Sequence, residues 1–400
     1  QNSKSPAEWA KQFDKEFQKD MSSLGVTSVN RWGRSTEHIP EIIDQVERLL
    51  KKGNAYVIEG DGIYFDLTTF PDYGKLAGRT VQMAEDGVSR IDDSPNKRNK
   101  GDFAIWKFSK PGEPSWPFGS AQGGDYAGRP GWHIEDTAVT EKYFGPQYEL
   151  HGAAVDLIFP HHEAEIAIQE SLSGLKPFVC YWMHAAFLIN KEEKMSKSLG
   201  NFMTAREALE RFSPEALRFY FLSAHYRSSL DYSEKIITQS EAAVKRLAEF
   251  VLRIKGSGTF MANINVPVAN INVPDPFIIR IAEAEEKMIA EMDDDFNIPG
   301  ATGHLYDLIR DVHKALDTDG ITSESKVALN KLLIDFNSIV GYIPFSEKDI
   351  PEKIQSLATE RETARKEKKY TVADHLRQQI QALGYDVDDT TYGPLIKKRL

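Results

Sequence analysis

The 400-residue chain has room for two to four domains, each with its own apolar core. Its formal charge of −11 argues against nucleic-acid binding through a general basic field, although local basic patches on an acidic protein can still hold RNA. The single cysteine, Cys180, excludes an intrachain disulfide, and no apolar run approaches the length that crosses a bilayer, so a cytoplasmic protein with no membrane contact is expected.

Residues 1–25 read as an amphipathic helix in which Trp9, Phe13, Phe17 and Met21 recur every four positions. A second helix spans 39–52, with Ile42, Ile43, Val46, Leu49 and Leu50 on one side and Gly53-Asn54 as its stop. Strand-like runs at 55–58 and 63–66 form a hairpin across Glu59-Gly60-Asp61-Gly62. The polar, Pro- and Gly-rich stretch 92–116 that follows is anchored by Trp106, Phe108 and Trp116.

From 128 to 170 ionisable residues become dense. Gly131-Trp132-His133-Ile134-Glu135-Asp136 precedes the apolar run 150–159, which predicts a buried parallel strand. Pro160 and the acidic residues after it mark a helix start, so His161 and Glu165, four apart, share a face. That spacing serves a divalent metal, and it serves an ordinary helix-surface hydrogen bond at least as well. Cys180, inside Phe178-Val179-Cys180-Tyr181-Trp182, predicts a buried core thiol. Residues 181–184 and 187–189 predict another buried strand.

That strand leads into Lys194-Met195-Ser196-Lys197-Ser198-Leu199-Gly200-Asn201. Two ammonium groups and two hydroxyls on a short loop suit the spread negative charge of a triphosphate; a solvated basic turn is the ordinary alternative. Helices follow at 205–212 and 214–224, then long helices from 231 to 340, interrupted by Gly256-Ser257-Gly258 and by the near-duplicates 263–267 and 270–274, which read as an exposed loop. A last module, 343–400, carries Arg361, Arg365, Lys366, Lys368 and Lys369 near the end of one helix and Lys397-Lys398-Arg399 at the close. Such a run is ordinarily a solvated face, but in an acidic chain it also suits a phosphate contact.

These segments fall in a known order. Residues 131–135, 151–152, 156–167, 181–184, 194–201 (the KMSKS signature), 225–228 and 230–233, with the charged helical stretch 361–383 and Asp389-Thr390, resemble the cysteinyl-tRNA synthetases over nearly the whole chain. The resemblance implies an α/β fold: part of a class I Rossmann-type catalytic domain with an inserted mixed module, then an all-α bundle and a small C-terminal anticodon-binding domain. The expected boundaries are 1–38 for the remainder of the N-terminal catalytic half, 39–127 for the inserted module and 128–190 for the second Rossmann half. The KMSKS-bearing fold takes 191–235, the bundle that contacts the tRNA stem 236–342, and the anticodon module 343–400.

The resemblance further implies formation of cysteinyl-adenylate from cysteine and ATP with Mg2+, then transfer to tRNA(Cys), by a monomer. Lys194 and Lys197 would act on the triphosphate held by the loop Lys194, Met195, Ser196, Lys197 and Ser198. Trp132, His133, His151 and Asp156 would line the cysteine pocket, His161 and Glu165 would be zinc ligands, and Arg361, Arg365, Lys366, Lys368 and Lys369 would meet tRNA.

Two departures bear on activity. No HIGH-type string is found, so the N-terminal segment that carries it is expected to be missing from this chain, by truncation of a longer active ligase; if the chain is complete as given, adenylation is expected to be impaired, which keeps a non-catalytic, RNA-binding paralogue or fragment in view. A ligase of activated cysteine to a small amine is a further alternative, against which the C-terminal module speaks. The second departure is Asp136, where the family has cysteine. Asp136, His161 and Glu165 form a hard N/O set that holds Zn2+ more weakly than thiolates do, or selection of cysteine proceeds without metal.

Overall fold

The computed structural model describes residues 4–79, 94–119, 126–190, 193–195, 202–256, 276–318, 320–344, 350–390 and 392–398. Two compact units divide the chain, Gln1–Lys11 with Ser28–Phe187 and Gln12–Thr27 with Leu188–Leu400.

In the first unit, helix α2 (Ile39–Lys52) buries Ile42, Val46 and Leu49 and ends at Gly53, whose φ of 79° is the left-handed stop expected of Gly-Asn. The predicted hairpin forms: β1 (Ala55–Ile58) pairs antiparallel with β2 (Gly62–Phe65). Strands β3 (Phe103–Phe108) and β4 (Gly128–Pro130) extend it to a four-stranded sheet in the order β1-β2-β3-β4. Trp106 lies wholly in the core, as expected of an anchor, whereas Phe108 and Trp116 only pack against its edge. Helix α3 (Trp132–Phe144) leads to β5 (Tyr148–Ala154), helix α4 (Glu163–Ser173) and β6 (Val179–Ala185), with β5 and β6 parallel. This is the βαβ crossover of a Rossmann-type fold.

One buried network ties α2, α3 and α4 together. The Gln45 amide donates to Glu141 (2.8 Å) and Gln169 (3.2 Å), its carbonyl accepts from Thr137 (2.8 Å), and Arg48 grips Glu141 with two bonds of 2.9 Å. The helices are thereby fixed by polar pairing as well as by apolar contact, since buried polar groups left unpaired cost more than the pairs gain.

Four expectations are corrected here. The strand predicted at 150–159 ends at Ala154, and Val155–His162 turns in short helical stretches. Neither β5 nor β6 is buried throughout: Leu150 is 52% and Tyr181 72% exposed, because among the described residues each strand has only the other as a neighbour. Cys180, next to Tyr181 on β6, is likewise exposed and is no core thiol. The N-terminal helix exists as α1 (Pro6–Ser23), but Phe13 and Phe17 of its apolar stripe are 58% and 45% exposed, while Glu16 and Asp20 pair with Arg206.

In the second unit, β7 (Leu188–Asn190) pairs with β8 (Glu193–Lys194) and β9 (Leu230–Asp231) in the order β8-β7-β9. Helices α5 (Ala205–Leu209) and α6 (Pro214–Phe221) begin at Thr204 and Ser213, whose hydroxyls accept from the backbone three residues on. The helical domain is α7 (Glu234–Gly256), α8 (Pro276–Asp293), α9 (Ile298–Asp317) and α10 (Ser323–Val340), packed about Phe250, Leu305, Leu329 and Leu333. The near-duplicates at 263–274 lie outside the described residues. Finally α11 (Glu352–Lys366) and α12 (Tyr370–Ala382) pack with a β10 (Tyr385–Thr390) and β11 (Gly393–Lys398) hairpin around Ile354, Ile380 and Val387.

Candidate active site

Gly131 explains why α3 starts where it does. Its N–H donates to Ile105 O on β3 at 2.9 Å, and a Cβ there would lie 2.0 Å from Ala104 O. Only glycine lets the backbone come this close, so the Gly-Trp-His motif presses the first turn of α3 against β3. That turn presents Trp132, 56% exposed, and His133, which is buried. The irregular stretch Ile158–His162 brings His161 and His162 under the same turn, and α4 adds Glu165 one turn further on.

His161 is the hub. Its Nδ1 lies 2.8 Å from His133 Nδ1 and its Nε2 2.9 Å from Asp136 Oδ2, while its ring stacks on Trp132 at 4.2 Å. Its Nε2 is also 3.0 Å from Glu165 Oε1, out of line for a hydrogen bond, so the spacing noticed in the sequence becomes a real approach without a bond. Next to it, His162 Nδ1 meets His184 Nε2 at 2.8 Å, and His151 Nδ1 meets the Tyr148 hydroxyl at 2.6 Å. Trp182 lies 4.8 Å from both His151 and His162.

Burial sets the charges. It lowers His133 and His162 to about 3 and His151 to about 4, so these imidazoles are neutral at pH 7. It holds Glu165 well above the ordinary carboxyl value, with the nearby Asp136 pushing the same way. Glu163, equally buried, differs: it accepts the N–H groups of Gly74 (2.9 Å) and Ala77 (2.7 Å), whereas both oxygens of Glu165 have no hydrogen-bond partner.

Four of the site residues named from sequence therefore converge with Glu165: Trp132, His133, Asp136 and His161. His151 joins them from β5 and the second face of Glu165, at 3.9 Å. Asp156 is exposed in the turn after β5, outside both carboxylate–imidazole groups. His162, His184 and Tyr148 were not singled out by the sequence reasoning. The alternation Trp182-His184 on β6, opposite His151-Ala153 on β5, was the available signal, since residues two apart share a face.

The thiolate-bound zinc that the resemblance implies does not fit these residues. Cys180 belongs to neither group of closely spaced ligand atoms among the described residues, Asp136 is half-exposed, and both ring nitrogens of His161 are already engaged. The lysine loop starts on β8, where Lys194 pairs with Ile189 in register and Met195 N–H donates to Leu188 O at 3.1 Å. Ser196, Lys197 and Ser198 lie outside the described residues. In the C-terminal module Arg361 is buried and doubly bonded to Asp389, so it has no face for RNA, while Arg365, Lys366 and Lys369 are exposed or half-exposed.

A parallel βαβ catalytic fold, a helical bundle and a small C-terminal module of helices and a β hairpin together define a class I aminoacyl-tRNA synthetase. Family models agree: tRNA synthetases class I (C) catalytic domain over residues 1–242, DALR domain over 287–343, and Cysteinyl-tRNA ligase anticodon binding domain over 347–393. A cysteine–tRNA ligase of Carboxydothermus hydrogenoformans is 38% identical over 397 residues, 97% of this chain and 81% of that protein. One of Thermococcus onnurineus is also 38% identical, covering 98% of this chain and 82% of that one. The solved methionyl-tRNA synthetase of Mycobacterium tuberculosis in complex with methionyl-adenylate shares the fold, with a TM-score of 0.55 at 15% identity over 82% of this chain and 75% of that one.

The chain belongs to the cysteinyl-tRNA ligase family, and its reaction is the ATP-dependent aminoacylation of tRNA(Cys). This corrects the expectation that the N-terminal segment of the catalytic domain, with its HIGH motif, is missing. The catalytic-domain match begins at residue 1, and the inferred impairment of adenylation falls with that expectation. A short signature string is a small part of such a domain, so failing to find it outweighed too much of the remaining sequence.

Proposed function

We propose that cysteine is activated beside the Trp132–His161 stack, with its side chain received by the buried imidazoles around Glu165. The observation that carries this reading is the convergence of His151, His161 and His162 on one buried carboxyl group, with His133 bonded to His161, under a half-open tryptophan. Burial keeps His133, His151 and His162 uncharged, and a neutral imidazole offers one donor and one acceptor nitrogen without a fixed charge, which suits a neutral thiol. Trp132, His133 and His151 line this pocket, and Asp156 stands at its edge.

In the first step a carboxylate oxygen of cysteine attacks the α-phosphorus of ATP and pyrophosphate leaves. Lys194 and Lys197 stabilise the charge that shifts onto the departing phosphates, with Met195, Ser196 and Ser198 completing the loop and Mg2+ accompanying the nucleotide. In the second step a terminal ribose hydroxyl of tRNA attacks the acyl carbon and AMP leaves. The bundle α7–α10 meets the inner stem, and Arg365, Lys366, Lys368 and Lys369 meet the anticodon side by phosphate contacts. The protein works as a monomer in the cytoplasm.

The test is cysteine-dependent pyrophosphate exchange. Trp132→Ala raises the KM for cysteine by about tenfold, equivalent to some 1.4 kcal/mol of lost contact, and leaves the KM for ATP unchanged. An unchanged cysteine KM, or equal rises for both substrates, refutes the pocket assignment.

A further inference from the structure

Outside the pocket and the lysine loop, the run His225-Tyr226-Arg227 between α6 and β9 closes on a single residue, Asp295, in the turn from α8 to α9. The Tyr226 hydroxyl donates to Asp295 Oδ1 at 2.6 Å, and the Arg227 guanidinium donates to both carboxylate oxygens, from Nε to Oδ2 at 2.5 Å and from Nη2 to Oδ1 at 3.2 Å. His225 Nδ1 accepts the Arg227 N–H at 3.2 Å, which places the ring proton on Nε2, and Nε2 donates to the backbone carbonyl of Asp295 at 2.9 Å. The Asp295 carboxyl is held down to about 2, first by Arg227 and then by Tyr226. Asp295 and Phe296 both take left-handed backbone, with φ of 55° and 57°. An aspartate visits that region readily; a phenylalanine, 49% exposed here, does so only where its surroundings impose it. The same turn caps α9, since Asn297 Oδ1 accepts the Gly300 N–H at 3.1 Å. On its other side the run continues into β9, which pairs with β7, and β7 with β8, where Lys194 stands. The Arg227–Asp295 pair is half-exposed and adds little to stability, so several contacts converging on a strained turn serve its geometry more than its strength.

We propose that Asp295 is a positioning residue for the transfer of cysteine to tRNA. Through His225, Tyr226 and Arg227 it sets the angle between the α8–α9 corner of the bundle and the strands that carry the lysine loop, and so the approach of a tRNA seated on the bundle. The inference rests on the reading that the bundle meets the inner tRNA stem. Activation of cysteine needs no tRNA and does not use this angle. Transfer does, because a ribose hydroxyl must meet the acyl carbon, and a misplacement of about 1 Å at reacting atoms costs up to about 100-fold in rate.

The test compares two variants of the full chain in both half-reactions. Asp295→Asn keeps a side chain that accepts left-handed backbone and removes the charge. Arg227→Gln removes the partner, whose side chain is 56% exposed and so is not needed by the core. Each is expected to lower kcat for aminoacylation about tenfold, with the Kd for tRNA(Cys) and the rate of cysteine-dependent pyrophosphate exchange within about twofold of the unaltered chain. The double variant should be no slower than either single one, because the pair is already broken. Equal losses in pyrophosphate exchange and aminoacylation mean a merely structural contact and overturn the proposal, as do an unchanged kcat or losses that multiply in the double variant. Hydroxyl-radical footprinting of the tRNA separates this inference from the reading beneath it. An inner stem left unprotected by the unaltered chain refutes both, whereas protection there with kcat unchanged in the variants refutes the positioning role alone.

Discussion

Asp389→Asn tests whether Arg361 is a structural residue. Arg361 is 2% exposed, and Asp389 accepts from its Nη1 at 2.6 Å and from its Nη2 at 3.0 Å. Hydrogen bonding to Arg361 holds the Asp389 carboxyl below its ordinary value, against a smaller opposing effect of burial. In the variant the guanidinium stays buried with only a neutral, half-satisfying partner. Breaking a fully buried pair costs about 3–5 kcal/mol, but the Asp389 side chain is 43% exposed, so water replaces part of what is lost and about 2 kcal/mol is expected. At 1.36 kcal/mol per decade that is about a 30-fold increase in local opening. Amide hydrogen exchange across α11 and α12 of the full chain reads it directly, with α2 as the internal control. Arg365→Gln, whose pair with Asp389 is half-exposed on both sides, shifts exchange by no more than about twofold. The sign of the pH effect follows. A carboxyl held below its unfolded pKa contributes stability above that unfolded value and loses it as pH falls through the folded one. The unaltered module should therefore loosen on acidification in that window, and Asp389→Asn should flatten the dependence. Unchanged protection in Asp389→Asn, or equal loss in α2, refutes the reasoning.

Other outcomes can be measured with simpler assays. Lys197→Ala is expected to lower cysteine-dependent pyrophosphate exchange by about 10²–10³-fold, the range for removing one transition-state charge partner, with tRNA affinity unchanged; equal losses in both rule out a triphosphate role. Gln45→Leu leaves Thr137 and Gln169 short of partners inside the α2–α3–α4 network and should cost about 2–3 kcal/mol, seen as a fall of about 6 °C in the Tm of the catalytic unit. A shift under about 1 °C would mean that water reaches the network. Gly131→Ala forces a methyl group against Ala104 O and so displaces the first turn of α3; the cysteine KM should rise together with a lowered Tm, and an unchanged KM at lowered Tm would separate the glycine from the pocket.

Local patterns carried far in this chain. Gly53 and the alternating strands around it read directly, because helix stops and tight turns depend on backbone freedom within a few residues. The lysine-serine loop and the Gly-Trp-His and His-His motifs placed the chain among class I synthetases for a similar reason, since their chemistry is written in contiguous residues. What sequence misjudged was solvent exposure. The apolar runs around Leu150 and Cys180 look like core, yet hydropathy does not say how many neighbours a strand has, and here each has one among the described residues. Arg361 reads as an RNA contact by composition and becomes a buried clamp once β10 places Asp389 beside it, twenty-eight residues away. The site repeats the lesson. His161 and Glu165 share a face by spacing alone, but only the tertiary structure reveals that Glu165 turns toward His161 and Asp136 on one side and His151 and His162 on the other, drawn from α3, β5 and the turn before α4, and that its carboxyl group is left without a hydrogen-bond partner. Sequence determined the family and the residues that bear its chemistry, because both reside in short local strings; the charge state and unmet bonding of those residues were decided by packing between distant segments, which no local string contains.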